Sequence, residues 1–185
     1  MKNSTLFHRA IGDLTSAIER ISESDIDRLV AWVAGARHVS VFGCGRERLQ
    51  IQGFAMRLFH LGRSVSVVGS MTTPAIGPGD LLLITAGPGY LSTAMALAEV
   101  ARNAGAKVLT ITAEPEGRIA AVSDGLCVIP AQTMATDQGD DVSILPMGSV
   151  FEGALFLLFE VITLKLKAKL NVSDEDLRSN HTNLE

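Results

Sequence analysis

The chain has 185 residues, with 16 Lys and Arg against 20 Asp and Glu, a formal charge of −4, and 47% apolar residues. That length and apolar content give one globular domain with a substantial core and exclude a disordered chain. The mild negative charge excludes the broad basic face that a nucleic-acid partner would require.

The first ten residues carry charges and no apolar run, so no secretory leader is expected. Ile11, Leu14, Ala17, Ile18 and Ile21 recur at helical spacing. A second helix follows, with Ser24 as its cap, Asp25 and Asp27 in its first turn, and Ile26, Leu29, Val30 and Val33 on its buried side. Residues 1–36 therefore read as an N-terminal helical extension.

From His38 the pattern becomes strand, turn and helix. Val39-Ser40-Val41-Phe42 ends in Gly43-Cys44-Gly45, and a helix runs on to His60 with Gly62 as its stop. Val65-Ser66-Val67-Val68 and Leu81-Leu82-Leu83-Ile84 are the next strands, the latter ending in Ala86-Gly87-Pro88-Gly89. A helix over 92–104, strands at 108–112 and 126–129, and a last helix over about 150–170 complete an α/β core at 37–170. Residues 171–185 form a C-terminal tail. The apolar stretch at 153–164 is too short to span a bilayer and is broken by Glu160, so no membrane contact is expected. Cys44 and Cys127 have no CxxC spacing, which fits a reduced, cytoplasmic protein.

Short apolar strands alternating with helices imply a parallel sheet covered on both faces. The expected architecture is a three-layer αβα sandwich with a five-stranded, flavodoxin-like sheet. Its two glycine-rich turns would meet at the switch point of the strand order, where ligands bind. Glycine lets the backbone approach a ligand closely, and a helix N-terminus offers free N–H groups to an anion. The first turn begins like a dinucleotide fingerprint, but Arg48 stands at its final glycine position. No Gly-Lys-Ser/Thr follows either turn, so neither is a P-loop.

Several segments in order resemble the sugar-isomerase (SIS) family, and within it the 6-phospho-3-hexuloisomerases. They are Gly43-Cys44-Gly45-Arg46, the run from Phe54 to Gly62, Thr72-Thr73-Pro74-Ala75-Ile76, the run from Pro146 to Glu152, and His181-Thr182-Asn183-Leu184-Glu185. The resemblance implies a phosphorylated-sugar ligand and a carbonyl shift between neighbouring carbons through an enediol. It implies no metal or cofactor, and a homo-oligomer, dimer or tetramer, with shared active sites. It also implies Glu152 as base, His181 as an assisting group and His60 as a further catalytic candidate. Gly43, Gly45, Arg46, Glu47, Gly87, Gly89, Tyr90, Ser92 and Thr93 are then expected around the sugar phosphate.

Three features bear on these assignments. From pattern alone, Ser149-Val150-Phe151-Glu152 also fits a capping box, which would give Glu152 a structural role. The family's phosphate loop usually reads Ser-Gly-Ser-Gly-Glu-Thr, whereas here it reads Ala86-Gly87-Pro88-Gly89-Tyr90-Leu91, and Glu47 replaces a serine after the arginine. A non-catalytic phosphosugar-binding or regulatory protein is the alternative those departures suggest. Asp137, Asp140 and Asp141 lack any recognisable metal-ligand spacing and read as a solvated acidic loop.

Overall fold

A computed structural model describes residues 2–138 and 142–184. Asp140 and Asp141 lie outside the described residues. Five parallel strands, β1 (Val39–Phe42), β2 (Val65–Val67), β3 (Leu81–Thr85), β4 (Lys107–Thr112) and β5 (Gly125–Val128), form one sheet. Their order is β2-β1-β3-β4-β5, the flavodoxin-like arrangement expected from the sequence. In register, Val39 stands opposite both Val65 and Leu81, and Leu81 stands opposite Lys107.

The strands are apolar throughout because both faces are covered. Leu81 and Leu83 point into one core, Leu82 and Ile84 into the other. The first core is the larger. It is built with α2 (Glu23–Gly35), α3 (Gly45–His60) and α5 (Ser149–Leu170), with Ala17 of α1 (Asn3–Ile18) at its margin. Phe54 of α3 stacks on Phe159 of α5 with ring centroids 4.4 Å apart. The second core is closed by α4 (Ser92–Asn103) through Ala94, Ala98 and Ala101, and by Ile119 of a short 3₁₀ turn, Arg118–Val122. That turn stands where a full helix would usually cross from β4 to β5.

The helix ends depart from the sequence reading in three places. Asn3 opens α1, ahead of the apolar run that begins at Ile11. Glu23 opens α2 with Ser22 at the cap position, and Ser24 lies inside the helix with its hydroxyl 2.8 Å from that of Ser22. Ser149 is the first residue of α5 rather than its cap, which is Gly148, and no side chain caps that helix. The alternative capping box at Ser149–Glu152 is therefore absent, and the Ser149 hydroxyl instead accepts from Arg46 Nη1 at 3.1 Å.

Two further features position the chain ends. A side-chain carbon at Gly153 would come within 2.6 Å of Leu14 Cδ2, so the missing side chain lets α1 lie directly on α5. The tail turns back at Asn171, whose φ of 54° reverses the chain, and forms α6 (Asp174–Ser179). A capping box does occur there: Ser173 accepts from the Asp176 N–H while the Asp176 carboxylate accepts from the Ser173 N–H. Lys167 also pairs with Asp174.

No helix among the described residues is long and apolar enough to cross a membrane.

Candidate functional site

A pocket of about 270 Å³ opens beyond the carboxyl ends of β1 and β3, at the switch point of the strand order. The β1–α3 turn supplies Cys44, Gly45, Arg46 and Glu47 to it, and the β3–α4 loop supplies Pro88 and Leu91. The first turns of α5 supply Phe151 and Glu152, and the segment after β5 adds Thr133 and Met134.

Glu152 and Arg46 are brought together. Arg46 Nη2 lies 2.7 Å from Glu152 Oε2, and the Glu152 side chain is 15% exposed. Burial pushes the Glu152 carboxyl above its usual range, while the Arg46 guanidinium opposes that shift. Arg46 is thus held on the pocket wall by two groups of α5, Ser149 and Glu152. Met147, just before α5, has a φ of 55°, a left-handed conformation uncommon for a residue with a side chain. Its carbonyl accepts from Gln132 Nε2 at 3.1 Å, which ties the α5 approach to the segment after β5.

Glu47 turns to the opposite wall. Both of its carboxylate oxygens accept from the Gly87 N–H at 3.1 Å. Burial pushes its carboxyl up to about 7, against the lowering effects of that N–H and of Thr85. The Thr85 hydroxyl is fully buried and lies close to the carboxylate without completing a hydrogen bond of good geometry among the described residues. A side-chain carbon at Gly87 would meet Glu47 Oε1 at 2.9 Å and the Phe151 ring at 3.0 Å, so glycine is required where the carboxylate docks. Cys44, at the pocket mouth, is pushed up by burial and by Glu47 and remains a thiol.

The other expected residues are distributed differently. Gly43 packs against Thr85, and Gly89 against Glu114 and Gly117; both shape the loops without lining the cavity. Tyr90 lies under the guanidinium of Arg118, 4.2 Å from its ring centroid, and does not line the pocket. Ser92 and Thr93 open α4 and are exposed beside the pocket. His60 and His181 meet each other, with ring centroids 5.0 Å apart, at the far end of α3. Asn180 Nδ2 donates to the His60 carbonyl at 2.9 Å and fixes the tail there. With 16 residues in α3, these histidines stand about 20 Å from Arg46 of the same chain. A single chain does not join them to Glu152.

The sequence reading missed Thr133, Met134, Pro88 and Leu91 as lining residues. The first two lie in an irregular segment with no periodicity to place them. The last two were noted only as lost polar groups.

Two carboxylates in unlike environments, a fixed guanidinium and backbone N–H groups at helix starts suit an anionic polyol that undergoes proton transfer. Among the described residues no group of His, Cys, Asp and Glu side chains is arranged to hold a metal ion.

Residues 33–152 match the SIS domain family. The sequence is 35% identical over 173 residues to the 3-hexulose-6-phosphate isomerase of Mycobacterium gastri, covering 94% of this chain and 86% of that protein. It is 30% identical over 185 residues to the 3-hexulose-6-phosphate isomerase of Bacillus subtilis strain 168, covering 100% of both. A Methanococcus jannaschii protein, whose crystal structure is described as inferring a 3-hexulose-6-phosphate isomerase function, superposes with a TM-score of 0.81. It is 24% identical and covers 97% of each chain, a likeness of fold.

Proposed function

Since the chain belongs to the SIS domain family, we propose that it is a phosphosugar isomerase that interconverts a 3-ketohexose 6-phosphate and fructose 6-phosphate. The observation that carries this reading is the Glu152–Arg46 pair at 2.7 Å on the pocket wall. An enediol route needs a base beside the carbon that bears hydrogen and hydroxyl next to the carbonyl. Glu152 takes that proton, and the electron pair left on carbon forms the enediol as the carbonyl oxygen gains a proton. Return of the proton to the former carbonyl carbon, as the hydroxyl on the other enediol carbon gives up its own proton, moves the carbonyl by one position. Arg46 keeps Glu152 ionised and in place and offers its remaining N–H groups to sugar oxygens.

The phosphate lies between the β1–α3 turn and the β3–α4 loop, with Ser92 or Thr93 and the first free N–H groups of α4 as donors. His181, with His60 beside it, serves the site of a neighbouring subunit. Support comes from the outer faces of α3 and α5, which Arg57 and Glu160 join at 3.2 Å. Leu49, Met56 and Phe59 on α3 and Phe156, Val161 and Leu164 on α5 are all exposed there. An apolar face of this kind favours symmetric association, and association would carry the histidine end of one α3 towards another chain's pocket.

The test is conversion of fructose 6-phosphate to the 3-ketohexose 6-phosphate by purified protein, followed by exchange of deuterium from solvent into the sugar. Turnover with solvent exchange is expected. Binding without turnover would instead identify a regulatory protein.

A further inference from the structure

Glu47 is hard to reconcile with a nearby phosphate as long as it is ionised. The donors of the β3–α4 loop are few. The Gly87 N–H is taken by Glu47, Pro88 has none, and the Gly89 N–H donates to the Ala86 carbonyl at 2.9 Å. Ala86 and Leu91 bring no hydroxyl. The arginines on either side of Glu47 do not neutralise it, because Arg46 is engaged by Glu152 and Ser149 and Arg48 reaches towards Gly69. A buried carboxylate thus stands where the loop should be offering donors.

We infer that Glu47 holds the substrate's phosphate as a neutral carboxylic acid, its carbonyl oxygen accepting from Gly87 N–H and its own O–H donating to a phosphate oxygen. This deepens the phosphosugar reading and rests on it. A protonated carboxyl supplies the donor that a loop hydroxyl would otherwise give, in a side chain already aimed and partly dehydrated. The surroundings agree with that protonation state. Of the charged and titratable groups that face Glu47, Cys44 on its own helix remains a thiol, Arg46 and Arg48 are directed elsewhere, and Glu152 on α5 disfavours a second negative charge. The β3 end and its loop present the Thr85 hydroxyl and the Gly87 N–H, neither of which titrates. Because Glu47 titrates at about 7 in the free protein, binding above that pH takes up a proton.

The experiment is calorimetric titration with fructose 6-phosphate and, separately, inorganic phosphate, between pH 7 and 9, in buffers of different ionisation enthalpy. A phosphate ester is already a dianion across most of this range, and inorganic phosphate is mostly so above about pH 8, so the change above that pH belongs to the protein. Wild-type affinity is expected to fall roughly tenfold per pH unit above 7, with close to one proton taken up per site. Glu47→Gln keeps both an acceptor for Gly87 and a donor for phosphate, so its affinity should be flat with pH and exceed wild type at pH 9. Glu47→Ala should bind more weakly than wild type at pH 7. Flat wild-type affinity without proton uptake, or tighter binding by Glu47→Ala at pH 7, would overturn the inference while leaving isomerase turnover intact. Turnover failing while inorganic phosphate shows the expected profile would instead remove the isomerase reading and keep the subsite. If neither ligand binds, both are overturned. Melting curves of each variant establish that it is folded.

Discussion

At its first turn α3 delivers Arg46 and Glu47 into a half-enclosed pocket, whereas its last turn presents His60 to the docked tail about 20 Å away. Both ends hold groups suited to proton transfer, but their surroundings differ. The pocket end is completed within the chain, by α5 and by the β3–α4 loop. At the histidine end the C-terminal segment docks through Asn180, near the exposed apolar residues Met56 and Phe59 of α3. The comparison teaches that one chain brings Glu152 and Arg46 together on the pocket wall, while its two histidines meet each other at the opposite end of the same helix.

The largest effect expected from breaking this comparison is at the pocket end. Glu152→Gln should lower kcat by about 10²–10⁴-fold with ligand binding largely kept, because the proton acceptor is lost while the amide oxygen can still accept from Arg46. Melting and turnover on one preparation decide the matter. A merely structural Glu152 would cost stability and leave activity per folded molecule unchanged.

At the other end, His181→Ala should reduce turnover by a smaller factor, of order 10–100-fold. Mixing it with Glu152→Gln under conditions of subunit exchange should restore roughly a quarter of wild-type activity in a dimer, since half the dimers then carry one complete site. No recovery despite proven exchange would count against a shared site.

Glu47 predicts an effect on stability. Its folded carboxyl titrates at about 7, above the ordinary value of 4.5, so the folded state holds the proton more tightly than the unfolded chain. Stability from this group is therefore greatest at low pH and is lost as pH rises from 4.5 to about 7. The loss should be about 1–3 kcal/mol, and Glu47→Gln should flatten that part of the pH–melting curve. A wild-type protein more stable at pH 8 than at pH 5.5, by an amount Glu47→Gln does not change, would contradict it.

The smallest effect is expected at the tail. Asn180→Ala removes one hydrogen bond to the His60 carbonyl, worth about 1 kcal/mol locally, and should accelerate amide exchange in α6 with little change in global melting.

Much of the fold was legible because its signals are local. The apolar runs at Leu81–Ile84 and Val108–Thr112 and the stops at Gly62 and Gly105 mark elements that need no tertiary knowledge. Where the sequence reading failed, a distant partner decided the outcome. Ser149 could not be recognised as a partner for Arg46, because the two are 103 residues apart in the chain. Glu47 was noticed as a misfit, but only the fold shows that it meets Gly87 rather than Arg46 or Arg48. His60 and His181 were each singled out, and their stacking appears only once the chain reverses at Asn171.

The placement of α1 and α2 against α5 also governs how the chain reaches its native state. Val39 of β1 pairs with Leu81 of β3, 42 residues later (81 − 39), so the sheet cannot start from a hairpin. The apolar sides of the first two helices close against a helix that ends at Leu170. During synthesis those sides emerge early and wait for nearly the whole chain, and the larger core can form only when the final long helix has left the ribosome. The larger core is thereby dominated by contacts between distant segments of the chain, a topology that slows folding.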